Sequence, residues 1–253
     1  MIDTHTHLYL EQFKDDIDDV IFRAKNIGVH RFYLPSISSK YNKSMRNLEK
    51  KFPDDISCMI GLHPCYVDDN FQSEINFVKK QIDEHDYKAI GEIGIDLFHE
   101  KKYFTQQVLA FEEQIKLAIE YDLPIVIHSR DSFDEIFKVL EKFKSEKLRG
   151  IFHCFTGNLD QANKIIDLNF YLGIGGVVTF KNGKISEFLN AVPIDKIVLE
   201  TDSPYLAPAP YRGKRNESFY IELVAKKIAE VYDVDLDYVS EVTDKNALDI
   251  FGS

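Results

Sequence analysis

The segment Asp3-Thr4-His5-Thr6-His7 sets two histidines one residue apart, directly after the apolar start Met1-Ile2. Successive side chains on a strand point to opposite faces, so His5 and His7 would share a face. Two imidazoles aimed at one point from a strand end form a chelate for a divalent metal. Four more groups of ligand type follow short runs of strand character. Glu92 follows Lys88-Ala89-Ile90-Gly91, His128 follows Ile125-Val126-Ile127, His153 follows Gly150-Ile151-Phe152, and Asp202 ends Ile197-Val198-Leu199-Glu200-Thr201. Taken singly, each has an ordinary structural explanation: a satisfied core histidine, a helix cap, the start of a turn. Five strand ends offering such groups together are hard to explain as structure. Four imidazoles and two carboxylates exceed what one tetrahedral ion with an open position takes. They suit two ions about 3.5–4 Å apart that share a carboxylate. The set predicts His5, His7 and Asp202 on one ion, His128 and His153 on the other, and Glu92 bridging. The chemistry is hydrolysis, with Glu92 and Asp202 as the catalytic carboxylates and Asp202 placed to accept a proton from water. Histidine-rich ligation leans toward Zn²⁺ or Mn²⁺, with Mg²⁺ open.

The elements that must hold these groups alternate from end to end. Strands are predicted at residues 2–5, 30–34, 56–61, 87–93, 124–128, 150–153, 170–174 and 196–200. Helices are predicted at residues 14–26, 41–51, 71–84, 104–121, 132–144 and 159–168, with two closing helices at 218–231 and 236–251. In the first helix Ile17, Val20, Ile21 and Ala24 make one apolar stripe, and Gly28 stops it. Ser132 or Asp131 is a candidate N-cap for the fifth. Strict alternation implies a parallel sheet. Steps of 36, 25 and 49 residues from Glu92 to His128, to His153 and to Asp202 correspond to one, one and two βα units. An open doubly wound sheet would place ligands at a switch point between few strands. Convergence from strands one, four, five, six and eight favours an α/β (β/α)8 TIM barrel, a single domain over residues 1–253.

A net charge of −11 on 253 residues excludes a broad cationic surface for duplex DNA. The three cysteines, Cys58, Cys65 and Cys154, show no paired spacing and no disulfide framework. Reducing, cytoplasmic conditions fit, with no signal peptide, membrane span or obligate protein partner in view and a monomer compatible. Cys154 beside His153 should point away from it and pack. Five residues near the strand ends are candidate substrate contacts. His63 ends strand three and could meet phosphate or bond to the barrel rim. Arg130 offers a fork-shaped donor, or a rim ion pair with Asp131 or Asp134. Tyr205, Arg212 and Lys214, with Arg215, form a basic and aromatic loop after strand eight, where barrels often hold phosphate.

The ordered set of motifs resembles the TatD family of metal-dependent deoxyribonucleases, among the amidohydrolase-like barrels. The matching stretches are Asp3–His7, Gly91-Glu92-Ile93-Gly94-Ile95-Asp96, Pro124–Arg130, His153-Cys154-Phe155-Thr156-Gly157, Leu199–Pro204 and Pro208–Glu217. The resemblance implies hydrolysis of DNA phosphodiester bonds with two divalent ions (Zn, Mn or Mg), often from a 3′ end, with single-stranded or frayed DNA ends as partner. The alternative is an amidohydrolase-like enzyme acting on another ester, a lactone or an amide. A binding protein keeping a structural metal would need closed coordination, which this ligand set does not suggest. Three positions depart from the family pattern. Tyr9 stands where Asp is common, Cys65 replaces the second histidine after His63-Pro64, and Ile95-Asp96-Leu97-Phe98 replaces the usual Leu-Asp-Tyr. None removes a predicted ligand; they bear on substrate contacts and rate, not on metal binding.

Overall fold

The structure, a computed structural model, describes residues 1–99, 101–143 and 147–252. Eight parallel strands run β1 (Ile2–Asp3), β2 (Arg31–Leu34), β3 (Ile56–Cys58), β4 (Ile90–Asp96), β5 (Ile125–Arg130), β6 (Gly150–Phe152), β7 (Phe170–Ile174) and β8 (Ile197–Leu199). Ladders join β1 to β3 and β4 to β8 in sequence order. Two seams close the ring. Ile60 bridges Ile90, with Lys88 N donating to Cys58 O at 3.0 Å, and Thr6 bridges Ser203, with Thr4 N donating to Leu199 O at 3.0 Å. The sheet is therefore a TIM barrel, and the overall architecture matches the expectation.

The helices are α1 (Ile17–Asn26), α2 (Ser39–Lys51), α3 (Phe71–Glu84), α4 (Phe104–Tyr121), α5 (Phe133–Leu140), α6 (Leu159–Asp167), α7 (Ile221–Tyr232) and α8 (Leu236–Phe251). Gly28 sits just past α1 with φ +89°, a left-handed stop that glycine adopts without a Cβ penalty. Ser132 precedes α5, but its hydroxyl does not cap the helix; it donates to Ile95 O at 2.6 Å and ties the β5 end to β4. Helix α5 ends earlier than the predicted span, whose last residue, Lys144, lies outside the described residues. Between β7 and β8 the chain makes four short 3-10 turns instead of an α-helix. Gly175, Gly176, Gly183 and Pro193 break the helical period there. A Cβ on Gly176 would lie 2.1 Å from Leu206 O, so this segment presses directly on the loop after β8.

The barrel interior is apolar at its base. Ile2, Tyr33, Met59, Ala89, Val126, Ile151 and Val198 form one buried cluster with Ala247, Ile250 and Phe251. The end of α8 thus plugs the N-terminal mouth, with Phe251 stacked on Tyr33 at 4.1 Å. Two residues further along the same strand faces stand His128, His153 and Glu200, and Asp202 follows Glu200. Strand alternation therefore carries an apolar column upward into polar groups at the C-terminal face, where barrel enzymes build their sites.

Candidate active site

Glu92 is aimed inward by a fault in the ladder. On β4, Gly91 pairs with Val126 and Ile93 with Ile127, so Glu92 is an extra residue in a bulge. Its own N–H leaves the ladder and donates to Ser36 O at 2.9 Å. A Cβ on Gly91 would lie 2.7 Å from Val126 Cβ, so the bulge needs glycine beside it.

The other five groups predicted from the sequence gather around this carboxylate, with His63 as a sixth. Glu92 Oε2 lies 3.4 Å from His5 Nε2 and 3.6 Å from His7 Nε2. Glu92 Oε1 lies 2.8 Å from His128 Nδ1, 3.2 Å from His153 Nε2 and 3.3 Å from His63 Nε2. Asp202 Oδ1 approaches the first set, 3.4 Å from His7 Nε2 and 3.8 Å from His5 Nε2. The two ring nitrogens of His5 and His7 face each other at 3.3 Å, and the His5 and His153 rings stack at 3.7 Å. His153 therefore stands between both sets, since its ligand atom also groups with those of His5 and Asp202. Asp202 has φ +57°, a left-handed turn conformation that aspartate tolerates better than most residues.

Three of the facing imidazoles, His7, His128 and His153, have a polar group behind them, whereas the buried His5 Nδ1 has no hydrogen-bond partner among the described residues. Tyr9 Oη accepts from His7 Nδ1 at 2.9 Å while donating to Pro35 O at 2.7 Å, which leaves His7 Nε2 free of its proton. Asp96 Oδ2 lies 3.0 Å from His128 Nε2. Glu200 Oε1 lies 3.3 Å from His153 Nδ1 and accepts from Cys154 N at 2.6 Å. A Cβ on Gly173 would fall 2.2 Å from Glu200 Oε2, so β7 makes room for this fully buried carboxylate. Sequence reasoning missed Asp96 and Glu200 as site residues. The available signal was strand period, since Glu200 is two residues from Asp202 and Asp96 four from Glu92.

The electrostatics call for a cation. Burial pushes the Glu92 pKa up, but His63, His153 and His5 outweigh it and hold the carboxyl well below its usual range. Burial likewise raises Asp202, and the His7 hydrogen bond and the other imidazoles bring it down. Burial alone would make His128 and His153 weaker bases. Asp96 and Glu92 raise His128 instead, and Glu200 and Glu92 raise His153 well above the ordinary value. Burial lowers His5 and His63. The carboxylates thus demand positive charge among nitrogens that burial would keep neutral. Divalent metal would satisfy both, so the donor set fits a divalent cation.

These groups floor a cavity of about 310 Å³ whose walls include Ile37, Tyr66 and Tyr205. Of the five candidate substrate contacts, His63 and Tyr205 line it. Arg130 lies over the Phe98 ring at 4.9 Å and lines a neighbouring cavity of about 760 Å³. Arg212 lies over Phe180 at 4.1 Å, and neither it nor Lys214 lines the 310 Å³ cavity. Arg215 is taken by Asp16 and Glu217, at 2.6 and 2.7 Å. Cys154 does not offer a thiolate: burial, then Asp202, Glu200 and Glu92, hold its thiol protonated.

A family model described as TatD related DNase matches residues 2–252. The chain belongs to the TatD family. An uncharacterized metal-dependent hydrolase of Bacillus subtilis, YabD, is 38% identical over 257 residues, covering 99% of this chain and 98% of the relative. YcfH of Escherichia coli, described in the same words, is 30% identical over 255 residues, covering 99% and 95%. Among solved structures, the TatD homologue YjjV of E. coli superposes with a TM-score of 0.94 at 26% identity, covering 100% of this chain and 98% of that one.

The departures from the TatD pattern lie around the rim of the site and behind its ligands. Tyr9 is buried behind His7, so the residue in the usual Asp position orients a histidine and does not face the cavity floor. Cys65 donates to Asp96 Oδ2 at 3.5 Å, and His99 Nδ1 lies 2.8 Å from the same oxygen.

Proposed function

We propose that this TatD-family chain is a divalent-metal deoxyribonuclease that hydrolyses phosphodiester bonds from the 3′ ends of single-stranded or frayed DNA. One observation carries the two-ion reading: the two oxygens of Glu92 face two different sets of imidazoles. His5, His7 and Asp202 would hold one ion, His128 and His153 the other, with His63 beside the second and Glu92 between them. When bound, such ions polarise the phosphoryl oxygen, supply an activated water and steady the leaving oxygen. The chain's own residues do the rest. Asp202, a carboxylate whose Oδ1 lies 3.4 Å from His7 and 3.8 Å from His5, would accept the proton of the attacking water. Tyr9, Asp96 and Glu200 keep the imidazole lone pairs turned inward. A cavity of about 310 Å³ suits the end of a single strand better than a duplex.

The test uses protein stripped with chelator and reconstituted with Mn²⁺, Zn²⁺ or Mg²⁺. Each preparation is offered a 5′-labelled single strand, with a p-nitrophenyl ester as counter-screen. Metal-restored, stepwise shortening of the strand supports the reading. Turnover of the ester with no cleavage of any strand would overturn it in favour of another amidohydrolase-like activity.

A further inference from the structure

Two tyrosines stand in the wall of the cavity over the ligand cluster, beside Ile37, Cys65 and His99. Tyr66 sits on the short turn after β3 and is 41% exposed; Tyr205, three residues past Asp202, is 49% exposed. Both line the cavity, from opposite ends of the chain's circuit around the barrel. Tyr66 is braced by Tyr41, edge to face at 6.0 Å with hydroxyls 3.3 Å apart, and Tyr41 is backed by buried Tyr9 at 6.1 Å. Tyr205 stands edge to face on His7 at 6.1 Å, and Tyr66 on His63 at 6.3 Å. Asn216 shapes the Tyr205 turn from a fully buried position, donating to Thr201 O and to Tyr205 O at 2.7 Å each. Among the described residues, no lysine or arginine lines this cavity.

Large aromatic rings left half exposed beside a buried charged floor bury no core and carry no charge. Their remaining use is to offer π-faces. A strand that enters here finds no side-chain cation for its phosphates beyond what the floor holds. Its affinity must then come from its bases. A volume of about 310 Å³ is at the lower end of the range that holds small ligands, which suits one nucleotide. Base–aromatic stacking accepts every base, because each has a π-face.

Resting on the nuclease reading above, we propose that Tyr66 and Tyr205 form a stacking subsite for the unpaired base of the strand-terminal nucleotide, with Tyr41 as the brace that fixes Tyr66. The subsite recognises a nucleobase as a flat ring, without selecting its identity. It makes the substrate class a strand whose last base is free to leave its neighbour.

Two measurements test this. In the first, metal-reconstituted protein is titrated into a short strand ending in 2-aminopurine joined by a methylphosphonate linkage, which resists cleavage. Stacking should quench the fluorescence, and Tyr66→Leu and Tyr205→Leu should each weaken the quench-derived affinity by about 5- to 100-fold, the range base stacking gives. Tyr66→Phe should keep it. In the second, kcat/KM is compared for strands ending in a normal or an abasic nucleotide. The wild-type preference for the base should fall toward one in the leucine variants. A variant that is merely misfolded lowers both rates and leaves their ratio in place, which would count against the subsite. No quench in wild-type protein, or equal affinity in the leucine variants, overturns the proposal. A quench that depends on both tyrosines in a protein that cuts no strand keeps the subsite and removes the nuclease reading.

Discussion

Asp202 and Tyr9 mark the two ways a single residue serves this site, one facing the reaction and one behind a ligand. Asp202→Asn keeps the shape and one acceptor oxygen but cannot take a proton. Loss of a general base costs about 10²–10⁴ in rate, so turnover should fall at least a hundredfold while circular dichroism stays native. Single-turnover rates on a labelled strand check this, and more than about a tenth of wild-type turnover would remove Asp202 from its role. Tyr9→Phe should act differently. It deletes the acceptor behind His7 Nδ1, and loss of such outer partners typically weakens metal binding about 10–100-fold. Calorimetric titration of Zn²⁺ or Mn²⁺ into stripped protein should show weakening in that range, with the rate restored at saturating metal. The facing residues were legible because each ends a short apolar run and carries a ligand chemistry. The backing residues were not, since Tyr9 ends no apolar run and Asp96 and Glu200 read equally well as turn or cap residues.

At the scale of elements, the strands and most helices were legible from hydrophobic period, and α3, α4, β7 and α8 fall on their predicted bounds. What period could not show is how α4 holds the site. Gln114 and Gln107 lie seven residues apart, two turns on one face. Gln114 accepts from Leu62 N at 2.7 Å and donates to Leu62 O at 3.2 Å, next to His63. Gln107 does the same for Asp96, at 2.8 and 3.2 Å. Both are buried, so each stands in for a missing strand partner at a barrel seam. The sequence offers three glutamines in an amphipathic helix, Gln106, Gln107 and Gln114, and nothing in it separates the two that turn inward from the one that does not. Gln114→Leu strands a buried N–H and a buried C=O, at about 1–3 kcal/mol each. The variant should unfold with a stability loss of about 3 kcal/mol, lowering the melting temperature by roughly 6–12 °C for a domain of this size. Thermal denaturation of metal-free protein measures it; a shift below about 2 °C would mean that water or relaxation replaces the side chain there. The segment between β7 and β8 also escaped prediction, because glycine and proline there mark an interruption without saying what the chain packs against.

For the whole molecule the deciding quantity is charge. The chain carries −11, and the described cavity walls hold no lysine or arginine. A protein that grips DNA through its phosphates releases one condensed counterion per contact, and its affinity falls steeply with salt, with a slope near −0.7 per contact on single strands. Here the contacts available to phosphate are those of the floor, and the rest of the acidic surface repels a polyanion. The log of the apparent affinity for a short single strand should therefore fall with the log of salt at a slope no steeper than about −2, the value for two or three phosphate contacts. The same balance sets substrate form. A closed duplex offers no end for the cavity and presents its full charge to an acidic rim, whereas a single strand can lead with one nucleotide. Cleavage of a short single strand should outpace nicking of a covalently closed circle by at least tenfold at equal nucleotide concentration, measured at low salt where any hidden cationic surface would be most visible. A steep salt slope together with ready nicking of circles would place the binding energy on a cationic surface away from the cavity. Arg130, Arg212 and Lys214, which lie off the cavity walls, would then be the first residues to replace.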